Sequence, residues 1–213
     1  MRMRKKKNLP QRMEKAASVL VTEPEALRGR WREEYPGYGR LFAELGCGKG
    51  SFTAGTAAAE KDAFLVALER VPDAMIMAME KAVAAELANV RFLDTDVARL
   101  GEIFSEGELD RIYINFCDPW PGKKHAKRRL TAPSFLALYR AALRPGGQIH
   151  FKTDNAPLFA WSLETLREAG FTLSEVTEDL HAAGPVGVMT DYEAKFYAEG
   201  KPICRCVATK EDA

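Results

Sequence analysis

The chain predicts an α/β fold: a mainly parallel sheet, helices on both faces and an antiparallel edge strand. Short apolar runs alternate with helically periodic stretches from residue 41 onward, at the close spacing of βαβ units. The first four apolar runs each end at or just before an acid, at Glu44, Glu69, Asp96 and Asp118. The last two runs follow one another without an obvious helix between them, as in an antiparallel edge pair.

Strands are expected over residues 41–45, 63–68, 90–93, 111–116, 148–151, 171–176 and 203–207, where apolar and β-branched residues cluster. Between them, helices are expected over the Ala-rich 51–60 and over 73–87, 97–104, 134–143 and 158–169, where apolar residues recur at helical spacing. Pro145-Gly146-Gly147 leads into the fifth strand, and Gly170 suits the end of the last helix. Upstream, residues 1–15 read as a flexible basic arm, 24–31 as a short helix with Thr22 as its cap, and 35–39 as a turn. The division is therefore a prelude over 1–39 and one domain over 40–213.

Bulk properties fit this. A chain of 213 residues buries roughly 70% of its unfolded surface in one core. With 46% hydrophobic and 29% charged residues it is globular. There is no apolar run of membrane-spanning length and no apolar segment behind the basic start, so neither a span nor a signal peptide is expected. The four cysteines form no CxxC pair and the histidines are only three, which suits a reduced cytoplasmic protein without a metal site. The net charge of +1 is unevenly spread. Arg2, Arg4, Lys5, Lys6, Lys7, Arg12 and Lys15 crowd the start, and no acid stands between Asp118 and Asp154. Two basic blocks in a balanced chain mark either a phosphate footprint or a solvated face.

Glu44 is followed by Gly46, Gly48 and Gly50 ahead of a helix. In an open parallel sheet such a turn lies at the carboxyl ends of the strands, where a ligand binds. The dinucleotide fingerprint needs a sixth-position glycine, but Ser51 stands there, and the GxxxxGK[ST] phosphate loop is absent. Gly-x-Gly-x-Gly behind an acid instead resembles motif I of S-adenosylmethionine-dependent methyltransferases, with their Rossmann-like fold. Glu69 then suits the ribose hydroxyls, Asp96 the adenine amino group and Asp118 the methyl end.

Asn115-Phe-Cys-Asp-Pro-Trp120 runs directly into a loop with five Lys/Arg in the seven residues 123–129. Amino-group methyltransferases resemble this region but carry a second proline, so an exocyclic amine is not favoured as acceptor. Guanine N7 fits: its lone pair needs no general base, and a carboxylate positions the ring and counters its developing charge. Asp118 is the catalytic candidate. Trp120 reads equally as a base-stacking platform or as a wedge under the loop. Asp154 reads as a site residue or a helix cap, and Thr190–Glu193 as a site closure or a capping box.

Taken together, the chain closely resembles the bacterial tRNA (guanine-N7-)-methyltransferase family over almost its whole length. The most specific pieces are Asn115-Phe-Cys-Asp-Pro-Trp-Pro121, His125-Ala-Lys-Arg-Arg-Leu130, His150-Phe-Lys-Thr-Asp-Asn155 and Thr190-Asp-Tyr-Glu193. The resemblance implies methyl transfer from S-adenosylmethionine to N7 of a guanosine in the tRNA variable loop. It implies cofactor contacts at Glu44, Gly46, Gly48, Glu69, Asp96 and Asp118, with Asp118 catalytic. Substrate contacts fall at Asp154, Thr190, Asp191, Tyr192 and Glu193, and RNA contacts at Lys124, Lys127, Arg128 and Arg129. Relatives often carry Lys where this chain has Gly122, and Lys123 stands in for it from one residue further on. The partner expected is tRNA, with monomer and homodimer both open. Two other classes compete: a methyltransferase of small molecules or proteins, which the basic loop disfavours, and a non-catalytic RNA-binding module, which the intact acid set disfavours.

Overall fold

The computed structural model describes residues 6–211; Arg2, Arg4 and Lys5 of the expected arm lie outside them. Among these residues seven strands form one sheet in the order β3-β2-β1-β4-β5-β7-β6. They are β1 (Arg40–Leu45), β2 (Ala63–Glu69), β3 (Val90–Asp94), β4 (Leu109–Asn115), β5 (Leu143–Thr153), β6 (Phe171–Thr177) and β7 (Cys204–Lys210). The first five are parallel, and β7 runs antiparallel to both β5 and β6. The order reverses between β1 and β4, so connections leave from opposite faces and a crevice opens at their carboxyl ends.

Eight α-helices are described: α1 (Leu9–Lys15), α2 (Trp31–Glu34), α3 (Ser51–Ala59), α4 (Pro72–Ala84), α5 (Leu100–Ile103), α6 (Pro133–Ala142), α7 (Ala156–Glu168) and α8 (Asp191–Ala198). One face of the sheet packs a core that includes Leu45, Val66, Ile114 and Phe151 with Leu136, Tyr139 and Leu166 of α6 and α7. The other face packs Phe42, Leu65, Ala67 and Phe92 against Phe52 of α3 and Met75 and Met79 of α4. Gly50 makes the second packing possible: a Cβ there would stand 2.3 Å from that of Ala78, and its φ of +76° is one that other residues avoid.

Three expectations are corrected. The arm is not wholly free: Leu9–Lys15 is helical, and Arg12 grips Glu80 of α4 through two nitrogens at 2.5–2.6 Å. The single helix over 24–31 is a 3-10 turn, Pro24–Leu27, then α2, because Gly29 at φ +77° breaks the run; Thr22 caps neither. A helix, α8, does separate the last two strands. Its polar, weakly amphipathic sequence hid it, since Glu193 alone among its residues is buried and it offers the core no apolar face. The prelude also closes an edge: Leu20 bridges Phe92 of β3.

Candidate active site

The crevice at the reversal holds a cavity of about 500 Å³. Gly46, Glu69, Asp96 and Asp118 all line it, from the ends of four neighbouring strands. Leu68, Val71, Val97, Leu130 and Phe135 supply apolar walls. Trp120, Lys127, Arg128 and Arg70 stand at its polar side.

Each acid is held differently. Glu69 accepts from the Gly48 amide and from the Val71 amide, both at 2.9 Å, which ties the glycine loop to the start of α4. Asp96 caps the turn that follows it by accepting from Ala98 at 2.9 Å, with Arg70 at 3.4 Å. Asp118 is exposed, and among the described residues no side-chain or loop donor engages its carboxylate. Glu44 departs from expectation. It is 1% exposed and off the cavity wall, beneath the glycine loop, where Thr53 donates to it at 2.6 Å and Asn115 at 3.4 Å. Burial pushes its carboxyl up to about 7 against these two hydrogen bonds.

The segment around Asp118 is bracketed by two residues in the left-handed region, Phe116 at φ +52° and Trp120 at φ +42°. Aromatic residues avoid this region, so the loop stores strain on both sides of the carboxylate. Burial drives the adjacent Cys117 thiol up to about 12, which leaves it protonated and unfit as a nucleophile. The basic run forms a 3-10 turn, Lys123–Arg128. Lys123, Lys124, Lys127 and Arg128 are exposed, but only Lys127 and Arg128 of the turn reach the cavity wall. Arg128 lies over the Trp120 ring at 3.9 Å. Arg129 turns inward instead: it donates to the carbonyls of Pro119 and Trp120 at 3.1–3.3 Å and covers Trp161 at 4.4 Å. That carries it away from the outward role set for it with Lys124.

The remaining expected contacts lie beside the crevice, off its wall. Asp154 pairs with Lys201. Thr190 and Glu193 form a capping box on α8: the Glu193 amide donates to Thr190 Oγ1 at 2.9 Å, and the Thr190 amide to Glu193 Oε2 at 3.1 Å. Asp191 accepts from Ser51 Oγ at 2.8 Å. Tyr192 is 59% exposed. Glu193 is wholly buried against Lys152 and His181. Lys152 stands inside the His150–Asn155 motif, but nothing local marks it as the partner of Glu193, and His181 has no motif around it. Thr95 escaped the sequence reading, although it precedes Asp96: it lines the cavity, and its buried Oγ1 has no partner among the described residues.

Residues 39–206 match the family model described as "Putative methyltransferase". The tRNA (guanine-N(7)-)-methyltransferase of Lactococcus lactis subsp. cremoris is 42% identical over 211 residues, spanning 98% of this chain and 97% of that protein. Its counterpart in Geobacillus thermodenitrificans is also 42% identical, over 99% and 98% of the two chains. Among solved structures, the 16S rRNA methyltransferase KamB superposes with a TM-score of 0.68 at 16% identity, over 86% of this chain and 94% of that one. A precorrin-6y C5,15-methyltransferase from Geobacter metallireducens does so at 0.57 and 12%, over 97% and 94%. The structural likenesses establish the Rossmann-like methyltransferase fold; the near full-length sequence identity goes further, and the chain belongs to the tRNA (guanine-N7-)-methyltransferase family.

Proposed function

We propose that this protein methylates N7 of a guanosine in the variable loop of tRNA, with S-adenosylmethionine as donor. The observation that carries the reading is the shared crevice: three acids from consecutive strand ends line it, and a strained aromatic, cationic loop stands at its mouth. The residues fit the donor. Apolar walls suit an adenine, the orphaned Thr95 hydroxyl offers it a polar contact, and the pinned carboxylates of Glu69 and Asp96 offer acceptors for ribose and amino groups. A Cβ built at Gly46 or Gly48 meets nothing within 4 Å, so bare backbone faces open space there and a ligand can approach closely. When bound, the donor supplies an electrophilic methyl group on a cationic sulfur.

The chain's own part is positioning and charge. Asp118 has acceptor capacity to spare, so it can take the N1–H and amino donors of a guanine and hold N7 in line. The same carboxylate counters the positive charge that spreads over the ring as N7 is alkylated. No proton leaves N7, so the reaction needs no base beside Asp118. Trp120 offers a stacking face, worth about 1–3 kcal/mol per base. Arg128 occupies that face here, so a base entering it displaces the guanidinium toward the RNA backbone. Among the described residues no helix is long and apolar enough to cross a membrane; a cytoplasmic setting, where tRNA is found, completes the proposal.

Incubating unmodified tRNA transcript with the protein and S-adenosylmethionine, then digesting to nucleosides, is expected to yield 7-methylguanosine by mass spectrometry. Methyl groups on any other position, or none, overturn the reading.

A further inference from the structure

Lys152 is buried at 7% exposure on β5, paired across the sheet with Asn115 at the root of the Asp118 loop. Its ammonium has three neighbours. It donates to Glu193 Oε2 at 2.6 Å and to the Val188 carbonyl at 3.1 Å, and it lies 4.9 Å from the centre of the Phe52 ring. Glu193 receives a further donor from the other side, His181 Nε2 at 3.0 Å. The His181 Nδ1 accepts from the Val186 amide at 3.2 Å, so the ring's proton sits on Nε2 and points at Glu193. With the Thr190 amide added, three protein donors converge on one carboxylate with no exposed surface. Such a group is out of reach of a ligand, because it is fully buried beneath its donors.

What it does have is leverage. Glu193 is the third residue of α8, and its carboxylate and amide together set the backbone and hydroxyl of Thr190. The same helix touches both halves of the crevice. Asp191 holds Ser51, the residue after the glycine loop, and Lys81 stands 3.6 Å from Asp191. Phe196 packs on Phe116, two residues before Asp118, with ring centres 6.1 Å apart. Ahead of α8, a Cβ at Gly55 would stand 2.5 Å from Val188 Cγ1, so the segment 186–190 lies directly on α3.

We propose that Lys152, with His181, is a positioning residue: by locking the buried Glu193 carboxylate it fixes α8 between the glycine loop and the Asp118 loop and so presents Thr190 to the bound guanosine. Thr190 Oγ1 accepts from the Glu193 amide and keeps its own hydrogen free to donate. Glu193 acts from behind the site, and Lys152 acts through it. The proposal rests on the tRNA methyltransferase reading and adds to it two residues whose role is geometric.

The test uses the full chain with tRNA transcript and S-adenosylmethionine. Lys152→Met is expected to lower kcat by about 100-fold, the scale of a misplaced reactant. Affinity for S-adenosylhomocysteine by calorimetry should stay within about threefold, because the Gly48 amide remains tied to Glu69 when α8 loosens. Lys152→Arg should recover part of the loss. Lys152→Met with Glu193→Gln should be no worse than Glu193→Gln alone, since the two act as one unit. Amide exchange across Asp191–Ala198 should quicken in Lys152→Met without any ligand, a readout independent of turnover. Should Lys152→Met not fold, His181→Gln, which leaves the ion pair in place, is expected to lower kcat by about tenfold and quicken the same amides. A wild type that makes no 7-methylguanosine defeats the functional reading. An active wild type with a folded Lys152→Met or His181→Gln at undiminished kcat, or with strictly additive losses in the double variant, defeats this proposal alone.

Discussion

Asp118 and Glu193 are acids set near the carboxyl ends of neighbouring strands, and the protein treats them in opposite ways. Asp118 is exposed, unbound by the donors around it, and flanked by two residues with positive φ. Glu193 is fully buried and receives Lys152, His181 and the Thr190 amide. A carboxylate buried beneath three protein donors can orient its neighbours but cannot reach a substrate. One left unsatisfied at a strained turn is costly to stability and available for chemistry. The same contrast divides the sheet: beyond β4 a free carboxylate faces a cavity, whereas the β5–β7 side carries a closed polar network.

The largest effect should come from breaking the open side. Asp118→Asn keeps the shape and removes the charge, so kcat is expected to fall by about 10²–10³-fold, the usual cost of losing one preorganised electrostatic partner. Thermal stability should hold, because no donor within the protein is orphaned, and tRNA affinity in filter binding should change little. An Asp118→Asn variant that turns over normally would erase the distinction between the two acids.

The closed side should fail differently, in stability and with pH. His150 sits on β5 with its Nε2 3.0 Å from Gln148 Oε1 and its ring against the edge of Tyr113. Burial first, then the charges of Arg111, Arg205 and Lys152, drive it from 6.5 down to about 3. The folded protein therefore keeps this ring neutral while the unfolded chain binds a proton below about pH 6.5. Stability from this group is complete above that pH and drains away as pH falls toward 3. At pH 5 the loss is about 2 kcal/mol, taking 1.36 kcal/mol per unit over about 1.5 units. Glu44, pushed up to about 7, works in the opposite direction over the same range, so the histidine is isolated by difference: in urea unfolding the change in stability from pH 7.5 to 5.0 should be about 2 kcal/mol more favourable in His150→Gln than in the wild type. Equal changes in the two proteins would remove His150 as a source.

Why the two sides differed in legibility follows from how each is built. Strand ends are set by local pattern and topology, so Glu69, Asp96 and Asp118 could be placed on one crevice from the alternation alone, and the fold puts them there. Glu44 was displaced by a single tertiary fact, the descent of α3 with Thr53 over it, which period and spacing do not encode. Arg129 looked like its basic neighbours, but a guanidinium within reach of two loop carbonyls and an indole face turns inward. Thr190 and Glu193 were legible as a capping box from their spacing. Their partners Lys152 and His181 lie 41 and 12 residues away from Glu193, and local pattern does not encode a pairing over such separations.

A smaller perturbation tests how tightly the closed side is fastened. Gly55→Ala gains up to about 1 kcal/mol of helix propensity in α3. It also drives a Cβ to 2.5 Å from Val188 Cγ1, a branched side chain with little freedom, and overpacking of this kind costs about 1–3 kcal/mol. A net loss of about 1 kcal/mol is expected in urea unfolding. Val188→Ala in the same chain should return much of it, and a single variant more stable than wild type would mean the segment yields freely.

The finest test sets two adjacent arginines against each other. Arg128 is exposed over Trp120, whereas Arg129 is tied to the carbonyls of Pro119 and Trp120. If only the first meets RNA phosphate, Arg128→Ala should weaken tRNA binding a few-fold, and the slope of log affinity against log salt should become shallower by about one unit. Arg129→Ala should leave that slope unchanged and lower the melting temperature instead, because two carbonyls lose their donor and Trp161 loses its cover. The slope matters more than the affinity. A loosened loop can weaken binding without changing the number of ions released, but a lost phosphate contact cannot. Were the two variants to share one salt slope below that of the wild type, both guanidinium groups would be reaching RNA, and the inward turn of Arg129 would not survive binding.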